Sequence, residues 1–150
     1  MDHRAEDDLQ RQLRDLLDLA VVGDHVRWTL TDDPGDELAE WLAAASNAWR
    51  AWAEQVAGRL AASGIPPDGR VRSLAKDIPL YWVPDGWIEG GAARRLVAER
   101  LSTVSEGTRY RRSQSVGARA ELLDVIGSGL EAQLLALRAP AGRAGALSAR

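Results

Sequence analysis

Residues 9–30 read LQRQLRDLLDLAVVGDHVRWTL, and this stretch places leucine, alanine and valine at steps of three and four. That spacing puts the apolar side chains on one stripe of an α-helix, which we expect over residues 6–30. The Asp-Asp-Pro-Gly sequence at 32–35 should end the helix, because proline and glycine beside aspartates are typical of turns. The chain therefore opens with a long amphipathic helix whose apolar stripe needs partners.

Three further long helices and one short helix follow the same pattern. The second is expected to begin after Asp36, its N-cap, and to end before Gly64, its C′ residue. A short helix follows at 71–77, then a third long helix that starts near 89 and ends between 112 and 117, and a fourth at 118–138. The predicted fold class is all-α: a ferritin-like four-helix bundle with a short helix in the long crossover between helices two and three. We assign the bundle to residues 9–139, an N-terminal tail to 1–8 and a disordered C-terminal tail to 140–150.

Composition excludes several classes of protein. The 150 residues contain no cysteine, which rules out disulfide scaffolds, thiolate metal sites and cysteine nucleophiles. Hydrophobic residues make up 45% of the chain, which favours a globular fold over disorder. No apolar run approaches the length of a membrane span, and the acidic start does not resemble a signal peptide, so we expect a soluble, cytoplasmic protein without membrane contact.

Generic catalytic and metal-binding motifs are absent from the sequence. The two histidines, His3 and His25, have no motif around them, and His25 is interpreted as a hydrogen-bonded or exposed residue of the first helix. Gly90 and Gly91 are interpreted as an ordinary helix start rather than an anion site. No Glu-x-x-His sequence occurs, so the di-iron motif of ferritin-like bundles is missing.

The order of the segments nevertheless resembles one family. The residues that carry the resemblance are VGDHVRW at 22–28, WAEQVAGRL at 52–60, SGIPPDGR at 63–70 and ELLDVIGSGLEAQLLALR at 121–138. Together, over about residues 9–139, they are similar to the DNA-protecting mini-ferritins of bacteria, the Dps family. This resemblance implies a hollow dodecamer that oxidises Fe(II) with hydrogen peroxide, stores the ferric mineral and often protects DNA. The family's iron site lies between two subunits, with histidines and a carboxylate from one chain and an Asp-x-x-x-Glu pair from the other.

The residues at the family's ligand positions depart from this pattern. The histidine of a His-Trp-Asn motif falls on Arg27, before Trp28, and the other positions fall on Ala39, Ala43, Glu54 and Gly58. An arginine is permanently cationic and does not ligate a metal. We therefore predict no catalytic residue, no metal ligand and no cofactor, although the family handles iron. The expected function is a Dps-type shell whose ferroxidase centre is lost, a non-catalytic cage or scaffold.

Two shifted alignments do not restore the ligands of the iron site. Moving the register by two brings His25 to the motif position, but two residues turn a helix by about 200°, so that its side chain faces elsewhere. Glu40 lies one residue from the second histidine position and is rotated by about 100°. An active mini-ferritin that gathers iron through Glu40, Glu121 or Asp124 is one alternative function. An oligomer that binds a partner or ligand at the aromatic loop 81–87 is another.

Four further expectations concern contacts. If the family geometry holds, Arg27 and Glu54 form an ion pair across the two-fold interface in place of the metal. DNA binding is not the favoured interpretation; any DNA contact should be weak and involve Arg143 and Arg150 of the C-terminal tail. A second set of basic residues is interpreted as a solvated group near a helix end: Arg109, Arg111, Arg112 and Arg119. The closely spaced tryptophans are interpreted as packing anchors: Trp41, Trp49 and Trp52.

Overall fold

A computed structural model describes residues 3–31, 37–77 and 83–139 of the chain. Its helices are α1 (His3–Trp28), α2 (Glu37–Ala62), α3 (Val71–Asp77), α4 (Gly90–Ser113) and α5 (Gly117–Leu137). Helix α1 packs along α2 and α4 along α5, whereas α1 touches α4 and α2 touches α5 over shorter stretches. The prediction of an all-α four-helix bundle with a short helix between its second and third long helices is confirmed.

The core of the bundle consists mainly of leucine, valine and alanine from all four long helices, with the buried tryptophans Trp41 and Trp49 of α2. Trp49 is fully buried, and its indole Nε1 donates a hydrogen bond to Gln133 Oε1 at 2.8 Å, which links α2 to α5. Other fully buried side chains are Leu16, Leu42, Leu60, Leu101, Ile126 and Leu130. None of the helices in the part of the chain that the structure describes is long and apolar enough to cross a membrane.

Helix α2 ends in the glycine motif that the sequence indicates. Gly64 has φ of 79°, a left-handed conformation that glycine adopts without a side-chain clash. Its N–H bonds to the carbonyl of Ala61 at 3.0 Å, and the N–H of Ile65 bonds to the carbonyl of Leu60 at 3.0 Å. These two bonds form a Schellman motif, which satisfies carbonyls at the helix end.

The first helix begins earlier than expected. It starts at His3 rather than near residue 6, so residues 3–8, which the sequence assigned to a tail, are helical. The reason lies in tertiary packing, because Ala5 and Leu9 are buried and Arg4 donates a hydrogen bond to Tyr110 Oη at 2.8 Å. The predicted turn at 32–35, the Asp36 cap and the tail at 140–150 lie outside the described residues.

The crossover is held against α1 at two places. Near the start of the crossover, Asp68 accepts hydrogen bonds from Arg14, Arg70 and Ser73, and Gln10 bonds to the backbone N–H of Asp68 at 3.0 Å. The second place involves the residues just before α4, where Ile88 exchanges backbone hydrogen bonds with Thr29 and Thr31 at 2.9 and 3.0 Å. The chain thereby fixes the end of α1 where Arg27 lies.

Candidate functional site

The five positions that the resemblance assigns to iron ligands lie on the surface of the α1–α2 pair. Arg27 is in the last turn of α1, and its side chain is 32% exposed. Ala39 and Ala43 are half-buried, while Glu54 and Gly58 are exposed. The four α2 positions are separated by 4, 11 and 4 residues, so they share one face of the helix.

Asp24, which no motif in the sequence indicated, links two arginines of this surface. Asp24 Oδ1 accepts a hydrogen bond from Arg27 Nη2 at 3.3 Å, and Asp24 Oδ2 accepts one from Arg50 Nη2 at 2.5 Å. Burial on its own would raise the pKa of Asp24, but hydrogen bonds from Arg50 and Arg27 outweigh this effect and hold the pKa below its ordinary value. Asp24 therefore stays ionised between two guanidinium groups.

Arg27 also contacts its neighbour in the chain, Trp28. The guanidinium of Arg27 lies 5.9 Å from the ring centroid of Trp28, within the range of a cation–π contact. Trp28 itself is 64% exposed, which is unusual for so large an aromatic side chain. The Asp24–Arg27 spacing of three residues was visible in the sequence, whereas the approach of Arg50 depends on how α1 packs against α2.

The side chains that meet here within one chain differ from the usual ligands of ferrous iron. Ferrous iron needs several imidazole or carboxylate ligands, and the carboxylate at this place is already bonded to two arginines. Within residues 3–31, 37–77 and 83–139 no group of three or more histidine, aspartate or glutamate side chains could hold a metal ion. The surface can instead make charge-assisted hydrogen bonds with another carboxylate.

The residues considered for a shifted or alternative iron site lie on three different helices. His25 is half-buried and its Nε2 is 2.8 Å from the carbonyl oxygen of Pro84, so the interpretation of a hydrogen-bonded histidine is confirmed. Glu40 and Glu121 are exposed on different helices. Asp124 accepts a hydrogen bond from Arg112 Nε at 2.6 Å.

The prediction of a solvated arginine group is wrong for Arg111. Arg111 is buried, and it donates hydrogen bonds to Gln12 Oε1 and Asp15 Oδ2, both at 2.8 Å. The burial arises because α4 packs against α1 and because α1 supplies the compensating carboxylate. On the surface, Arg109 bonds to Glu131 at 3.0 Å and Arg112 bonds to Asp124. Three of the four arginines are therefore paired with carboxylates rather than free for an anionic partner. Both residues predicted for weak DNA contact, Arg143 and Arg150, lie outside the described residues, and that contact stays a prediction.

The tryptophans of α2 pack as expected. Trp41 and Trp49 are buried and Trp52 is half-buried, which confirms the interpretation of packing anchors. In the aromatic loop, Trp87 is 75% exposed while the adjacent Ile88 is buried in the core. The other aromatic residues of this loop lie outside the described residues, so partner binding there stays a prediction.

Comparison with known proteins supplies evidence about the fold. No family model matches the chain, and no curated protein matches its sequence. Among solved structures, the C-terminal deletion mutant of Mycobacterium smegmatis Dps aligns with a TM-score of 0.87 at 23% identity, covering 93% of this chain and 99% of that chain. Dps92 from Deinococcus radiodurans aligns with a TM-score of 0.86 at 21% identity, covering 91% and 85%. Dps from Microbacterium arborescens, solved in a high iron form, aligns with a TM-score of 0.82 at 18% identity, covering 89% of each chain. The chain therefore has the four-helix fold of the Dps proteins.

Proposed function

We propose that this protein is the subunit of a Dps-type dodecameric shell that acts in the cytoplasm. The support is the Dps fold, which extends over nearly the whole chain, including the short helix of the crossover. The exposed face of α1 and α2 around Trp28 is the surface that we assign to the two-fold interface. An exposed tryptophan of this kind is favoured at protein interfaces, because its ring buries a large apolar area.

We further propose that this shell has no ferroxidase centre at the interface and acts as a cage or scaffold. The observation that carries this proposal is the guanidinium of Arg27, bonded to Asp24 at the position of the family's first histidine. A fixed positive charge repels Fe(II), and the repulsion is stronger at a partly buried site than in water. The alanines at 39 and 43 offer no donor atom to offset it.

The charges of the α1–α2 surface suggest how two subunits would meet without a metal. Within one chain, Arg27 and Arg50 carry two positive charges against the single negative charge of Asp24. Glu54 of the partner subunit would bring the missing negative charge, so the proposed Arg27–Glu54 pair would complete a neutral four-residue group. Such a group at an interface favours the correct register of the partners more than it adds affinity.

The first experiment measures assembly and iron oxidation on the same sample. Sedimentation velocity of the purified protein should give the mass of a dodecamer. Aerobic Fe(II), with and without hydrogen peroxide, should form ferric absorbance no faster than in buffer alone. Rapid oxidation by the unaltered shell would contradict the proposed loss of the centre and support the alternative of iron binding by other carboxylates. A species much smaller than a dodecamer would contradict the shell.

A second experiment restores the family's ligands. The variant R27H/A39H/A43D/E54D/G58E places two imidazoles and three carboxylates at the five positions, and Gly58 has open space where the new side chain would start. We expect oxidation above the buffer rate in this variant. The matched control, A39H/A43D/E54D/G58E, retains Arg27 and should remain slow. Slow oxidation by the five-substitution variant, assembled to the same mass as the unaltered protein, would show that these positions do not form an iron site.

A further inference from the structure

An open groove of about 450 Å³ runs between α2 and α5, and none of the five expected ligand positions is among its lining residues. It is held open by small side chains on both helices: Ala44 and Ala48 of α2, and Gly129, Ala132 and Ala136 of α5. Pockets that hold small organic ligands have volumes of roughly 300–1,000 Å³ and mostly apolar walls. The groove therefore has the size and the lining of a ligand site.

Two tryptophan side chains of α2 line the groove. Trp41 is 8% exposed and Trp52 is half-buried, and both line the groove. The ring of Trp52 lies so close to Gly129 that a Cβ atom at this glycine would collide with it. The absence of a side chain at Gly129 thus makes room for the indole of Trp52 against α5.

Acidic side chains stand at one end of the groove. Glu37 and Glu40, in the first turn of α2, are the charged residues that line the groove in the described part of the chain. Neither forms an ion pair with another described residue. Trp41 follows Glu37 by one helical turn, which places an aromatic ring beside the carboxylates. An apolar groove with acidic groups at one end is complementary to a molecule with an apolar body and a single positive charge.

We propose that this groove binds an amphiphilic organic cation, a primary or quaternary ammonium group on an apolar chain or ring. The carboxylates of Glu37 and Glu40 bind the ammonium group, and the ring of Trp41 adds a cation–π contact. The apolar body lies along Ala44 and Ala48 towards Trp52. The rise of α2 from Glu40 to Ala48 limits the body to about 12 Å.

The test uses the full-length protein and three ligands that share one body. Isothermal titration calorimetry with 4-phenylbutylamine, 4-phenylbutanol and 4-phenylbutyrate should rank the amine first, the alcohol second and the carboxylate last. The variant E37Q/E40Q loses the negative charges, so it should bind the amine about three- to fivefold more weakly and should bind the alcohol unchanged. The control variant E121Q alters an exposed carboxylate outside the groove and should bind the amine as the unaltered protein does.

A second variant tests the location independently of charge. Ala48→Leu fills the groove and should abolish binding of both the amine and the alcohol. Equal binding of amine and carboxylate, no binding of the amine at millimolar concentration, or unchanged amine binding by E37Q/E40Q would each overturn the proposal. A change in oligomeric mass in Ala48→Leu would assign the groove to contact between copies of the chain and would also overturn it. Tighter amine binding by Arg143→Gln would indicate that the C-terminal segment competes with the amine for the groove. That result would also overturn the proposal.

Discussion

Replacing Arg111 by methionine should destabilise the bundle strongly, although three other arginines lie nearby in the sequence. The Arg111 guanidinium bonds to Asp15 Oδ2 and to Gln12 Oε1, and the side chains of Arg111 and Asp15 are 11% and 21% exposed. Gln12 is fully buried and keeps its hydrogen bonds with Thr108, at 2.9 and 3.1 Å. The substitution therefore leaves one buried charge, that of Asp15, without its partner.

The expected loss in the free energy of unfolding is about 3 kcal/mol. Removing one member of a buried ion pair typically costs about 3–5 kcal/mol. We take the lower end, because Asp15 is one-fifth exposed and water can reach it when the guanidinium is gone. For a chain of this length, the same loss lowers the melting temperature by roughly 6–12 °C.

Urea denaturation followed by circular dichroism gives the free energy of unfolding of Arg111→Met, at matched protein concentration because assembly adds to apparent stability. Arg109→Met is the matched control: its pair with Glu131 is 69% and 56% exposed, and it should cost less than about 0.5 kcal/mol. Adding Asp15→Asn to Arg111→Met should recover part of the loss, because the uncompensated charge disappears. A loss below about 1 kcal/mol in Arg111→Met, or no recovery in the double variant, would refute this reasoning.

Two glycines and one aspartate supply further predictions. Gly23→Ala should destabilise the protein by about 1–2 kcal/mol, although alanine has the better helix propensity, because a Cβ there would lie 2.8 Å from the buried ring of Trp49. Thermal unfolding measures this change, and a gain in stability would contradict the packing argument. Gly58→Ala adds a Cβ that meets no other side chain of the same chain within 4 Å, so it should instead stabilise the protein by about 0.5–1 kcal/mol in the same assay. Hydrogen bonds from Arg70 and Ser73 hold the pKa of Asp68 well below its usual range, so its contribution to stability is present above the unfolded pKa, about 4, and is lost as the pH falls towards the folded pKa. Asp68→Asn should therefore be less stable than the unaltered protein at pH 7, and the difference in urea midpoint should narrow below about pH 4; a constant difference would show that Asp68 acts through something other than its charge.

Much of the fold follows from local patterns in the sequence. The short helix at Val71–Asp77 and the end of α2 before Gly64 agree with the sequence prediction, because the spacing of apolar residues, proline and glycine acts within a few residues. The start of α1 at His3 could not be predicted in this way, since Ala5 is helical and buried through its contact with the rest of the bundle.

The candidate site likewise combines features that are visible in the sequence with features that depend on helix packing. The sequence placed Arg27 at a position where a histidine was expected, and it also contained the Asp24–Arg27 spacing. Only packing of α1 against α2 brings Arg50 to the same carboxylate, 26 residues away in the chain. The groove between α2 and α5 likewise has no local signature, because alanine and glycine at its lining positions are common in any helix.

By itself, the sequence determined that the chain forms four long amphipathic helices and one short one, and which residue types occupy the expected ligand positions. The tertiary structure alone decided which charges are neutralised and which arginine is buried: Arg111 meets Asp15 across 96 residues, and Arg100 meets Asp18 across 82. The physical reason is that helix periodicity depends on neighbours within about two turns, whereas the strength of an ion pair depends on distance and burial, which arise only when the helices pack.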